Sequence, residues 1–165
     1  MEIEICDGCG GSFLIVENPT HRYIESSPGC WAVFGDVLAR EYSDPAYFAV
    51  HRLTVDAYAA QHPGRPSPQS IKSIGIHLTC LHLFLERGFE IQRVNDVMPT
   101  INQKKKHFVW LDPSPTKGSS MTIADVHRAV SDEQHIQLVK EWAVSVWAAW
   151  SVHHEAIRRW ASTIE

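Results

Sequence analysis

Cys6 and Cys9 form a Cys-x-x-Cys pair followed at once by Gly10-Gly11. Small residues at that place let a knuckle turn tightly while both sulfurs face one ion. His21 and Cys30 follow in the same segment, so Cys6, Cys9, His21 and Cys30 make a Cys3His set suited to structural, tetrahedral Zn²⁺. The spacing is looser than in a standard zinc finger. Two other readings stay open, a bare reduced pair in a turn and a redox dithiol, although no βαβ pattern surrounds the pair to favour the second.

A second set of chemistry-bearing residues lies on helical periodicity. Tyr47, His51, Val55, Tyr58 and His62 recur at three- and four-residue steps, with Asp56 beside them. His77 shares a stripe with Ser70, Ser73, Cys80 and Phe84, and His153-His154 stands among tryptophans. If His51, His77 and His154 converge, they make a three-histidine facial site with room for water and a second divalent metal, with Asp56 and Tyr58 as supporting partners. His51 and His62 are ~16 Å apart along a helix, so both cannot bind one ion; His62, before Pro63-Gly64, is expected as a cap or substrate contact. The competing reading is a set of hydrogen-bonded core histidines. His82, His107, His127 and His135 have no evident partner and are expected mostly at the surface, and Cys80 as a buried thiol.

The elements that must position these residues are mainly helices. Gly8, Gly10, Gly11, Pro19, Pro28 and Gly29 punctuate a loop or small hairpin, with Ser12 to Val16 as a short strand. Trp31 to Tyr42 has the spacing Trp31, Phe34, Val37/Leu38, Glu41 of a short amphipathic helix. Asp44 and Pro45 start a second helix running to His62, and Ser67-Pro68 starts a third that ends before Gly88. Glu90 to Lys106, broken by Pro99, reads as irregular, and Phe108 to Leu111 as an extended stretch pinned by Pro113 and Pro115. Thr122 with Asp125 predicts a short helix to about Val130. Ser131 with Gln134 predicts a long last helix to Ser162, with Trp142, Val146, Trp150 and Ile157 buried. The expected fold is a helical bundle preceded by a small Cys-rich zinc knuckle, with minor β at most: one domain over 1–165, divided into knuckle 1–30 and helical body 31–165.

The composition fits a soluble globular chain: 165 residues, 44% hydrophobic and 21% charged. A net charge of −4 argues against nucleic acid as a partner, and Lys104-Lys105-Lys106 is too short a basic run to change that. No signal peptide or membrane span is apparent, so a cytoplasmic protein with no membrane partner is expected; its partners are otherwise open, a homodimer included.

Several stretches resemble an uncharacterised bacterial domain-of-unknown-function family over nearly the whole chain. They are Cys6 to Gly10, Pro19-Thr20-His21, Ser27 to Trp31, His51 to Tyr58, Gln61-His62-Pro63, and Trp142-Ala143 with Trp147, Trp150 and His153-His154. That resemblance implies no particular reaction. The ending His153-His154-Glu155-Ala156-Ile157 also looks like the metal-binding helix of DinB/YfiT-like four-helix bundles, whose metal is typically held by three histidines. This second resemblance implies a metal-dependent hydrolase or thiol transferase using His51, His62, His77 and His154. Three function classes follow: a zinc-bound helical protein without assigned activity, such an enzyme, and a protein-interaction module that presents tryptophans.

Overall fold

The protein was analysed as a computed structural model, which describes residues 1–113 and 121–165. The fold is mainly α-helical, with one two-stranded hairpin among the described residues. Strands β1 (Ile3–Ile5) and β2 (Ser12–Leu14) pair antiparallel, with Glu4 opposite Phe13. Phe13 faces the core while its neighbours Ser12 and Leu14 face out, the period-two alternation of a half-buried strand. The connection between them is the knuckle, closed by Cys6 N–H to Gly11 C=O at 2.9 Å and Gly10 N–H to Cys6 C=O at 2.8 Å. Gly10 has φ +73°, a conformation that glycine adopts without steric cost.

Helix α1 (Pro28–Ser43) begins three residues earlier than the amphipathic spacing alone predicts. Ser27 caps it by accepting the Cys30 N–H, and Pro28 occupies the first turn, where its missing N–H costs nothing. The expected helix from Pro45 to His62 is divided into α2 (Pro45–Phe48) and α3 (His51–Gln61). At the division Val50 N–H reaches back only to Tyr47 C=O, a tightened turn that buries Val50 and turns Phe48 outward onto the His51 ring. Helix α4 (Pro68–Leu85) follows its signals, from the Ser67 cap to Gly88 at φ +64°.

The segment expected to be irregular holds two short helices, α5 (Ile91–Asp96) and α6 (Met98–Lys104). Pro99 lies in the first turn of α6, where proline starts a helix instead of breaking one. Val94 and Ile101, both buried, pin these turns against α4. Phe108 and Leu111 are buried on an extended stretch without strand pairing, while Ser114 and Pro115 lie outside the described residues.

Helix α7 (Ile123–His127) carries the Thr122/Asp125 capping box. The expected long last helix is two, α8 (Asp132–Ala149) and α9 (His154–Ala161), joined by a 3₁₀ turn over Ser151–His153. Tertiary bonds win over the continuing periodicity there. Trp150 Nε1–H donates to Ala60 C=O at 3.0 Å, and Trp147 C=O accepts both the Trp150 N–H at 3.0 Å and His154 Nε2 at 2.8 Å. Trp142, Val146, Trp150 and Ile157 are all buried, as their spacing predicts.

Helix α3 is central, packed against α4 and α8; α1 packs on α7, and α4 on α9. No helix among the described residues is long and apolar enough to cross a membrane.

Candidate metal centre

Four buried donors meet at one corner. Cys6, Cys9 and Cys30 are joined by His62, and one ligand atom from each lies within 4.8 Å of all the others. Each comes from a structural feature already described. The knuckle presents Cys6 and Cys9, the capped first turn of α1 presents Cys30, and the C-cap position just after α3 presents His62. Gly8 allows the knuckle to lie on the imidazole, because a Cβ there would stand 2.4 Å from His62 Cδ2 and 2.3 Å from Glu25 C=O.

Tetrahedral Zn²⁺ with Zn–S of ~2.3 Å and Zn–N of ~2.1 Å requires sulfurs about 3.8 Å apart and nitrogen about 3.6 Å from sulfur. Cys9 Sγ is 3.9 Å from Cys30 Sγ, and His62 Nε2 is 3.4 Å from Cys30 Sγ. The surroundings also suit ligation. His62 Nδ1–H donates to Tyr58 C=O at 2.7 Å, which fixes the ring and leaves the Nε2 lone pair for the cluster. Gly11 N–H points at Cys9 Sγ, Ser27 N–H at Cys6 Sγ and the Tyr58 hydroxyl at Cys30 Sγ, each at 3.4 Å. These donors relieve negative charge on sulfur. Phe34 stacked on Tyr58 at 3.8 Å, and Tyr58 stacked on His62 at 4.1 Å, keep the corner dry.

The three thiols compete for protons. Hydrogen bonds with Cys30 and then Cys9 pull the Cys6 thiol far down against the effect of burial. Cys30 is driven far up by its bond to Cys6, then by Cys9 and by burial. For Cys9, the bond with Cys30 pulls down, but the bond to Cys6 and burial outweigh it and leave the thiol at about 12. Protein interactions alone thus favour one thiolate of the three, and a divalent cation is the group that would let all ionise together. Burial likewise raises the Tyr58 phenol, so it remains a hydrogen-bond donor.

His21, expected as the fourth ligand, stands elsewhere. Its ring lies edge-on to Tyr23 at 4.4 Å and tilted on Trp31 at 5.6 Å, and Nδ1 accepts the Tyr23 N–H. His62, expected as a cap or substrate contact, does end α3 through its backbone, but its side chain joins the cysteines. Tyr58 serves this cluster too.

His51, His77 and His154 do not form a ligand group among the described residues. Each has its own partner. His51 Nδ1 bonds Glu41 Oε2 at 2.8 Å, His77 Nδ1 bonds Asp56 Oδ1 at 2.7 Å, and His154 stacks on Trp147 at 3.9 Å. The three rings therefore do not meet as a facial ligand set among the described residues. Two histidines expected at the surface are buried instead. His135 bonds Glu41 Oε1 at 3.0 Å and His82 bonds Glu86 Oε2 at 2.9 Å. Cys80 is buried as expected, its thiol raised first by desolvation.

Glu41, Arg52 and His135 are the polar residues that the sequence reading overlooked. Glu41 did carry a signal, being an acid on the apolar stripe of α1.

Comparison with curated proteins found no match, and neither did comparison with solved structures. A family profile matches residues 4–151, a span that contains all four clustered donors. The chain belongs to that family, DUF5946, a family of unknown function.

Proposed function

We propose that Cys6, Cys9, Cys30 and His62 bind one Zn²⁺ in a closed tetrahedral site, and that the chain is a zinc-stapled helical domain of a reducing compartment such as the cytoplasm. The observation that carries this reading is the approach of four buried donors from three separate segments to within 4.8 Å. Three thiolates and an imidazole favour zinc over the hard cations, which prefer oxygen. The Cys9–Cys30 separation of 3.9 Å is close to the ~3.8 Å of two sulfurs on one tetrahedral zinc, and the nearby imidazole of His62 completes a ligand set that a redox dithiol does not need. Four protein ligands leave no position for a water nucleophile, so this corner supports a structural metal and not a hydrolytic one. The ion would tie the hairpin and α1 to the end of the central helix, and so hold the hairpin, in which Phe13 is the one buried apolar side chain besides the cysteines.

Elemental analysis of the protein as purified should give close to one zinc per chain, and X-ray absorption should give three sulfurs and one nitrogen around it. Cys6→Ser and His62→Ala should each lose most of the metal. Metal-free protein of unchanged thermal stability would overturn the proposal.

A further inference from the structure

The motif His51-Arg52 at the start of α3 takes no part in the metal corner, yet both side chains are held in place by carboxylates from behind. Glu41 is completely buried, and both its oxygens are occupied: Oε1 by His135 Nε2 and the Thr54 hydroxyl, Oε2 by His51 Nδ1. Asp56 is buried as well, with Oδ1 taken by His77 Nδ1 and Oδ2 by Arg52 Nε at 3.2 Å. Arg52 Nη2 is occupied by the sulfurs of Cys80 and Met98. That leaves Nη1 as the nitrogen of this guanidinium without a protein partner among the described residues.

His51 and Arg52 together line an open cleft of about 310 Å³, whose other walls are Phe48, Val55, Ile91 and Asn95. An arginine, a histidine and an asparagine thus line the cleft among apolar residues, while the oxygens of Glu41 and Asp56 are engaged by protein donors. We infer that this cleft between α3 and α5 binds a small apolar carboxylate, with Arg52 Nη1 as its anion contact and His51 Nε2 at its rim.

The chemistry selects a monoanion. Arg52 is the one arginine or lysine lining the cleft and already shares its charge with Asp56, so it can offset the single charge of a carboxylate but not both charges of a phosphate dianion. The volume lies at the lower end of the ~300–1,000 Å³ of small-molecule sites, which fits one ring and its acid group. Arg52 is also positioned in advance. Its Nε and Nη2 are fixed by Asp56 and the two sulfurs, so a ligand would not have to order a free side chain. His51 Nε2 now bonds the Tyr42 hydroxyl at 3.2 Å, and Tyr42 is exposed, so a ligand hydroxyl can replace it.

The test uses the full chain with its metal, titrated with benzoate and with benzamide, a neutral molecule of the same shape, while amide and imidazole NMR signals are followed. Benzoate should give saturable shifts at His51, Arg52, Val55 and Asn95 with a Kd in the millimolar range, on the order of −4 kcal/mol, and benzamide at least ten-fold weaker ones. Arg52→Gln should weaken benzoate at least ten-fold. Because that variant also disturbs Asp56, Val55→Trp serves as a second one, which fills the cleft while keeping both partners of the Arg52 and Asp56 pair and should abolish the shifts. Equal binding of benzamide, shifts that survive in Val55→Trp, or no saturable shift up to about 20 mM benzoate would each overturn the inference.

Discussion

The corner at Cys6, Cys9, Cys30 and His62 and the network around Glu41 are both deeply buried and polar, and both use histidine, but they are satisfied in different ways. At Glu41 every strong donor finds an acceptor. His135, Thr54 and His51 fill the carboxylate, and Arg40 Nη1 donates to the far nitrogen of His135 at 3.4 Å. At the cysteines, three weak donors crowd one another with a single imidazole, and the sulfurs compete for protons. The lesson is that a polar cluster which completes its own hydrogen bonds needs no ion, whereas one built of soft, mutually repelling donors is legible as a metal site.

Stripping the metal should have the largest effect on this contrast. Chelation, or Cys9→Ser, should cost more than about 4 kcal/mol, the range associated with losing a structural metal, and lower Tm by roughly 10 °C or more. Calorimetry before and after chelation measures it, and full recovery on adding zinc is expected.

Glu41→Gln probes the self-satisfied cluster. An amide cannot accept from Thr54, His135 and His51 at once, so a buried donor is left facing the new NH2. The expected loss is about 3 kcal/mol, with zinc content unchanged. Loss of zinc in this variant would show the two clusters to be one system.

A third carboxylate shows what exposure does. Glu86 also has several partners, with Arg158 bidentate at 2.7 and 2.9 Å, His82 and Trp147, but it is partly open to solvent. The Arg158 guanidinium is the first cause holding its carboxyl down at about 2, against an ordinary 4.5. A depressed folded value means that this stabilisation is full above the ordinary value and fades as pH falls toward about 2. Denaturation followed from pH 6 to 2 should show a shallower acid loss in Glu86→Gln than in the parent protein.

The smallest effect belongs to His21→Ala. The ring touches Tyr23 and Trp31 near the surface, so stability should change by about 0.5 kcal/mol at most, and zinc content should not change. A drop in zinc here would exchange the assignments of His21 and His62.

Local signals made much of this legible. Asp44, Ser67, Thr122 and Ser131 cap helices where residue chemistry within four residues places them, whereas Ser27 caps α1 ahead of the start that the apolar spacing predicts. The breaks at Val50 and Trp150 were not legible, because the apolar period runs straight through them. What stops each helix is a long-range event, such as the Trp150 indole reaching Ala60 C=O. The site divided along the same line. Cys6, Cys9 and Cys30 declare themselves by type and spacing, whereas His62 lies 32 positions beyond Cys30 and carries every local mark of a helix end. His21 was nearer in sequence and farther in space. Only the packing of α3 beneath the hairpin decides between them.

The order of the four donors along the chain also has a consequence for cleavage. Arg22 is the first arginine or lysine of the sequence and is exposed in the loop between β2 and α1. Trypsin cutting there would separate Cys6 and Cys9 from Cys30 and His62 without breaking any bond to an ion they share. The nicked protein would then migrate as one particle on a sizing column while metal remains. Its first 22 residues, otherwise attached by contacts such as Gly29 N–H to Glu4 at 2.9 Å and the burial of Phe13, would come away when a chelator is added.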